Sequence, residues 1–200
     1  MYTLYFSPGA CSLAIQVVLR ELGQPFELVN KASVAVYQQI NPVGAVPALA
    51  VDGKILTEGA AIMLYLLEKY ANDLLPASTE ARQKAIEHLM FANATLHPAY
   101  SKLFFLSSEL AEGEIKDLAM ATAANHVCKL WQLVETKLQM QPYLGGQTYS
   151  VADILLAVYA NWGAFFSVAI SIGPRSQVMI AKVQALPSYQ AALAAEQQAT

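Results

Sequence analysis

Strand-like runs are confined to the first 57 positions of this 200-residue chain, and beyond Ala81 the apolar residues keep a helical period. That switch admits few architectures: a small mixed α/β unit followed by an all-helical one. The first unit is further constrained at its start. Leu4, Tyr5 and Phe6 form a short apolar run that meets a Ser7-Pro8-Gly9 turn, and an amphipathic segment begins at once with Cys11 and Ser12. It should stop near Gly23, before the strand-like Pro25 to Val29, so the two strands are expected to lie parallel with a right-handed crossover.

Residues 31 to 41 read equally as a short helix or a loop, and Asn41-Pro42 breaks them. Ala48 to Val51 and Lys54 to Thr57 flank Asp52-Gly53, a strong hairpin signal. Thr57-Glu58-Gly59 opens a helix over Ala60 to Tyr70, with Ile62, Leu66 and Tyr70 on one face. The expected order is β-α-β-(α)-β-β-α over residues 1–75, a linker over 76–81, and helices over 82–200. Ala81 to Leu106 contains His97-Pro98 and should kink or divide there. Glu112 to Met140 is a second long helix, and Cys128 reads as part of its core. Ser150 to Asp153 matches a capping box, and Pro174 and Pro187 break the remaining helical stretch.

Composition narrows the function classes. The chain is 56% hydrophobic and 14% charged with a net charge of −3, and it has no Lys/Arg cluster, so a nucleic-acid role lacks electrostatic support. Two isolated cysteines give neither a disulfide framework nor zinc-ligand spacing, and no metal is expected. The apolar start is too short for a signal peptide, which points to the cytoplasm. Val151 to Ile172 is long and apolar enough to imitate a membrane span. Asp153, Asn161 and Gly163 within it, and the absence of basic flanks, favour a buried core helix.

Three features converge on one corner of such a fold. Cys11 sits at a helix N-terminus, where unpaired N–H groups and the helix dipole favour a thiolate; the alternative is a cysteine chosen for packing. Val46-Pro47 precedes a strand, a place where a cis proline would leave the Val46 backbone free to pair with an extended peptide; the alternative is a trans proline in a turn. Glu58-Gly59 opens a helix whose N–H groups suit a carboxylate, although Glu58 alone also suits a helix dipole. A short peptide with a carboxylate, an amine and a thiol satisfies all three.

The segments SPGACSLA, NPVGAVPAL and ILTEGAAI, in this order and with SVAD capping a later helix, resemble cytosolic glutathione transferases, most closely the bacterial beta class. The resemblance covers essentially the whole chain. It implies a thioredoxin-like N-terminal domain, an all-helical C-terminal domain, a homodimer and glutathione as co-substrate. Cys11, backed by Ala10, then matches the cysteine beside glutathione sulfur, Val46 before Pro47 the backbone partner, and Glu58-Gly59 the holder of the γ-glutamyl end. LHPAYSKLF places His97 near that sulfur, and Trp162 matches a tryptophan on the helix that SVAD caps. Tyr100, Phe104 and Trp162 are candidates for binding the hydrophobic electrophile and equally plausible as core.

The departures are specific. Pro98 stands where the family has lysine, Met90 where it has asparagine, and the region from Val29 to Asn41 is short, with Lys31 as the substitute cation. The resemblance implies conjugation of glutathione thiolate to small hydrophobic electrophiles, with disulfide reduction through Cys11 as a related activity. The missing contacts motivate an alternative, a non-catalytic binding protein of the same fold.

Overall fold

The computed structural model describes residues 1–199. Four strands, β1 (Tyr2–Phe6), β2 (Phe26–Asn30), β3 (Ala48–Val51) and β4 (Lys54–Leu56), form one mixed sheet in the order β2-β1-β3-β4. β1 and β2 run parallel with Leu4 opposite Leu28, and the connection between them is α1 (Ser12–Glu21). β3 pairs antiparallel with both β1 and β4. Asp52 (φ 49°) and Gly53 (φ 73°) supply the two positive φ angles of the tight β3–β4 hairpin. The ambiguous stretch after β2 forms two 3-10 turns, Lys31–Ser33 and Tyr37–Gln39.

α1 is apolar almost all round because it is covered on several sides. Leu13, Ile15, Val17, Val18 and Leu19 are fully buried; α2 (Gly59–Lys69), α6 (Val151–Ala160) and α8 (Pro187–Gln198) all pack on α1. Burying each such side chain is worth about 1.5–3 kcal/mol. The helix that carries Cys11 is thereby wedged between the sheet unit and the helical unit.

The helical part begins with α3 (Thr79–Met90), which starts inside the segment read as a linker. It continues through a π-helical turn, Phe91–Leu96, into α4 (His97–Glu109). The division expected at His97-Pro98 is thus present, α4 beginning at His97, but it takes the form of a π turn rather than an interruption of the helical chain. Proline lacks a donor and its ring crowds the carbonyl four residues back. The π turn widens the backbone just before it, with His97 N–H bonded to the Ala92 carbonyl, and Pro98 occupies the first turn of α4.

α5 (Glu114–Lys137) lies against α4, and Trp131 Nε1 donates to the Tyr100 hydroxyl at 2.9 Å in the buried seam. Cys128 is only half-buried, contrary to its reading as core. Its sulfur accepts from Ser171 N–H at 3.1 Å and so ties down the segment before α7 (Pro174–Gln184).

The apolar run Val151 to Ile172 is not one helix. α6 ends at Ala160, a 3-10 turn covers Asn161–Phe165, and bends and irregular chain follow as far as α7. No described helix is long and apolar enough to cross a membrane. The capping box that opens α6 is formed: Asp153 accepts from Ser150 N–H at 2.8 Å and from its hydroxyl at 2.7 Å. The same carboxylate also accepts from Leu144 and Gly145 N–H.

Candidate active site

The loop after β1 is a turn closed by Ala10 N–H donating to the Ser7 carbonyl at 3.0 Å. Pro8 followed by Gly9 at φ +69° gives it the residue pattern of a type II turn. The buried Ser12 hydroxyl lies 3.4 Å from Ser7 N–H and 3.5 Å from its carbonyl, which fixes the turn against the start of α1. Cys11 is the residue immediately before that helix.

The helical part holds this loop from two sides. Trp162 Nε1 donates to the Gly9 carbonyl at 2.8 Å, and Gly9 N–H donates to Glu196 Oε2 at 2.8 Å. Glu196 is 5% exposed, and its other oxygen accepts from Gln16 Nε2 at 2.8 Å. Burial pushes its carboxyl upward, opposed by those two donors.

A cavity of about 570 Å³ opens beside the loop. Ala10, Cys11, Lys31, Val46, His97, Phe104 and Trp162 line it, so the structure brings these candidates together. Phe165, Ser101, Ala45 and the Ser7-Pro8-Gly9 turn complete the wall. The aromatic side is made of edge-to-face rings: His97 and Trp162 at 5.2 Å, Phe104 and Trp162 at 5.8 Å. Tyr100 does not belong to it. It is fully buried behind Trp162 and spends its hydroxyl on Trp131, so it supports the wall without facing a ligand.

Cys11 itself departs from expectation. Burial raises its thiol to about 11; the backbone N–H groups of Cys11 and Ser12 pull it down by less, and the Glu58 charge adds to the rise. The thiol donates to the Val46 carbonyl at 3.4 Å. A helix N-terminus favours thiolate only where the sulfur stays accessible to solvent or to a cation, and here desolvation wins.

Burial likewise lowers the His97 pKa, against the pull of Glu58, so the ring is neutral at neutral pH. Its Nδ1 lies 3.3 Å from the Ser101 hydroxyl one turn further along α4.

The Val46–Pro47 bond is cis, as the sequence suggested. Pro47 Cγ would lie 3.7 Å from a Cβ placed on Gly59, and Asn93 Oδ1 would lie 3.6 Å from it. A side chain at position 59 would therefore fill the gap between three elements. Glu58 holds φ 65°, ψ 108°, a conformation rare for a non-glycine residue, and its carboxylate does not cap α2. Its position before α2 keeps it where a helix dipole favours a negative charge. Lys31 Nζ reaches the cavity while bonded to the Gly44 carbonyl at 3.2 Å.

Two residues escaped the sequence reading. Asn93 is placed at Gly59 by the π turn, whose altered rotation no regular helical period reveals. Phe165 enters the wall from a 3-10 turn that the long apolar run concealed. Of the departures, Met90 packs against the core, and Pro98 lines a separate groove on the far side of α4.

The family model for the glutathione S-transferase N-terminal domain matches residues 2–74. The chain is 35% identical over 199 residues to glutathione S-transferase GST-4.5 of Xanthomonas campestris, covering 96% of this chain and 98% of that one. Among solved structures it superposes on a glutathione S-transferase from Xylella fastidiosa with a TM-score of 0.90 at 30% identity, covering 98% and 99% of the two chains. A beta-class enzyme from Sphingomonas chungbukensis matches at TM-score 0.82 and 33% identity over 97% and 98%. A sphingomonad glutathione S-transferase complexed with glutathione matches equally, at TM-score 0.82 and 33% identity over 98% of both chains.

Proposed function

Because the chain belongs to the glutathione S-transferase family and its structural neighbours include a bacterial beta-class enzyme, we propose that it transfers glutathione to small hydrophobic electrophiles in the cavity beside Cys11. The observation that carries this reading is the convergence of Cys11, Val46, Lys31 and His97 on one apolar cavity. Residues 1–75 hold the peptide, residues 82–200 hold the electrophile, and 76–81 join them. The backbone at Val46 pairs with the cysteinyl unit, and the α2 N-terminus at Glu58-Gly59 receives the γ-glutamyl end. Ala10 lines the cavity, and Pro47, outside its lining, packs beside Gly59 at the start of α2. Phe104, Trp162 and Phe165 offer ring edges to a flat apolar electrophile.

The state of Cys11 decides its role. A thiol held protonated is a hydrogen-bond donor, so glutathione sulfur becomes the anion and Cys11 S–H, released from the Val46 carbonyl, donates to it. His97, neutral and beside the cavity, accepts a proton or adds a hydrogen bond. Disulfide reduction requires Cys11 as thiolate and is the slower activity on this reading. The site needs no metal, and the protein works in the cytoplasm, where glutathione is plentiful, as a homodimer.

The test is glutathione binding followed by Cys11→Ala. Millimolar glutathione should raise the melting temperature, and Cys11→Ala should retain conjugation to an aromatic halide while losing disulfide reduction. Absence of any thermal shift and of retention on immobilised glutathione would establish the alternative, a fold-sharing protein without this chemistry.

A further inference from the structure

The turn that carries Cys11 is held by a side chain 187 residues away. Gly9 N–H belongs to the central peptide of the Ser7–Ala10 turn. Type I and type II turns with the same closing hydrogen bond differ chiefly by a rotation of that peptide of roughly half a turn. Glycine tolerates both, since it pays no steric penalty at either φ. The Pro8-Gly9 pair favours the type II form, but that preference alone does not fix the direction of the turn. Glu196 does, because its buried carboxylate meets the Gly9 N–H only in the orientation observed, with φ +69°. Gln16, fully buried on α1, orients that carboxylate from its other oxygen. Trp162 holds the next peptide by its carbonyl.

We infer that Glu196 is a positioning residue for the glutathione reaction: it locks the Pro8–Gly9 peptide in the orientation that presents the Ala10–Cys11 backbone and the Cys11 thiol to the cavity. The part of this that concerns glutathione rests on the function proposed above; the part that concerns Cys11 does not. Glu196 is not among the residues lining the cavity and acts on it through the turn. Freed from it, the turn samples both orientations, the Cys11 thiol leaves the Val46 carbonyl more often, and the sulfur becomes more open to small reagents.

The experiment compares Glu196→Ala, Glu196→Asp and Glu196→Gln in the full chain, by steady-state kinetics and by the rate at which iodoacetamide alkylates Cys11, followed by mass spectrometry. Aspartate keeps the charge but withdraws it by one methylene from Gly9. Glutamine keeps an acceptor for Gly9 N–H, and its new NH₂ meets the Gln16 carbonyl oxygen after an amide flip, an atom without a hydrogen-bond partner among the described residues.

The expected result is a rise of about tenfold in KM for glutathione and about tenfold faster alkylation of Cys11 in the alanine and aspartate variants, with the glutamine variant restored to within about twofold of wild type. Folded alanine and aspartate variants that alkylate at the wild-type rate would overturn the proposal. So would loss of the fold in both, which assigns Glu196 to stability alone. Should the wild-type protein fail to bind glutathione, the kinetic arm disappears together with the proposed function, and the alkylation arm still decides the role of Glu196.

Discussion

At the residue scale, Cys11 is the clearest case of position and environment opposing each other. Its place at the start of α1 was legible from Ser7-Pro8-Gly9 and the apolar pattern that follows; its ionisation was not. A sequence shows the helix terminus that favours charge but not the desolvation that opposes it, because the covering residues come from Val46 and from the distant helices. The thiol lies at about 11, above an ordinary value of 9.0. Only the thiolate reacts, so alkylation of the ligand-free protein should climb steeply from pH 7 to 10 without a plateau, whereas the unfolded chain should level off from about pH 9. Since the fold favours the neutral thiol, this group also costs stability once the pH passes its unfolded value, and none below it. A plateau below pH 8.5 in the folded protein would show a thiolate instead. Tyr100 teaches the same lesson. Its place in LHPAYSKLF suggested a ligand contact, but the α4 face it occupies is decided by packing against α5, which brings Trp131 to its hydroxyl.

Among the elements, those with local signals were readable and those shaped by distant contacts were not. The parallel crossover, the Asp52-Gly53 hairpin and the capping box at Ser150 follow from residues a few positions apart. The form of the break at Phe91–Leu96 and the early end of α6 do not: Pro98 signals an interruption but not that it takes the shape of a π turn, and the apolar run continues past Ala160. The box itself does more than start a helix. Asp153 also gathers the Leu144-Gly145 loop, so Asp153→Ala leaves several buried N–H groups without an acceptor. At about 1–3 kcal/mol for each buried donor left unsatisfied, the expected cost is about 3–5 kcal/mol, enough to remove a large share of a typical domain's stability. Urea denaturation measures it. A loss below about 1 kcal/mol, the scale of an ordinary cap, would confine Asp153 to capping.

For the whole molecule, the site exists only where the two units meet, with the thiol from one and the aromatic wall from the other. The chain also leaves apolar surface outside the site: Phe105, Ile115 and Leu118 are 64%, 80% and 72% exposed on α4 and α5. A groove of about 640 Å³ runs between those helices, floored by Leu106, Ala119 and Ala123. Exposed apolar surface of this kind fits the proposed homodimer. Sedimentation velocity at micromolar concentration should give a species of twice the chain mass, and replacing Phe105 and Leu118 by glutamate should shift it to the monomer; a monomeric wild type refutes the assembly. The chain's two tryptophans add a different kind of consequence. Trp131 is sealed in the α4–α5 seam, whereas Trp162 forms part of the cavity wall and holds Gly9. Intrinsic emission therefore carries two separable signals, a steady one from the seam and one that dims or shifts as the cavity fills. A Trp131→Phe protein becomes its own optical titrator, reporting occupancy without any added dye.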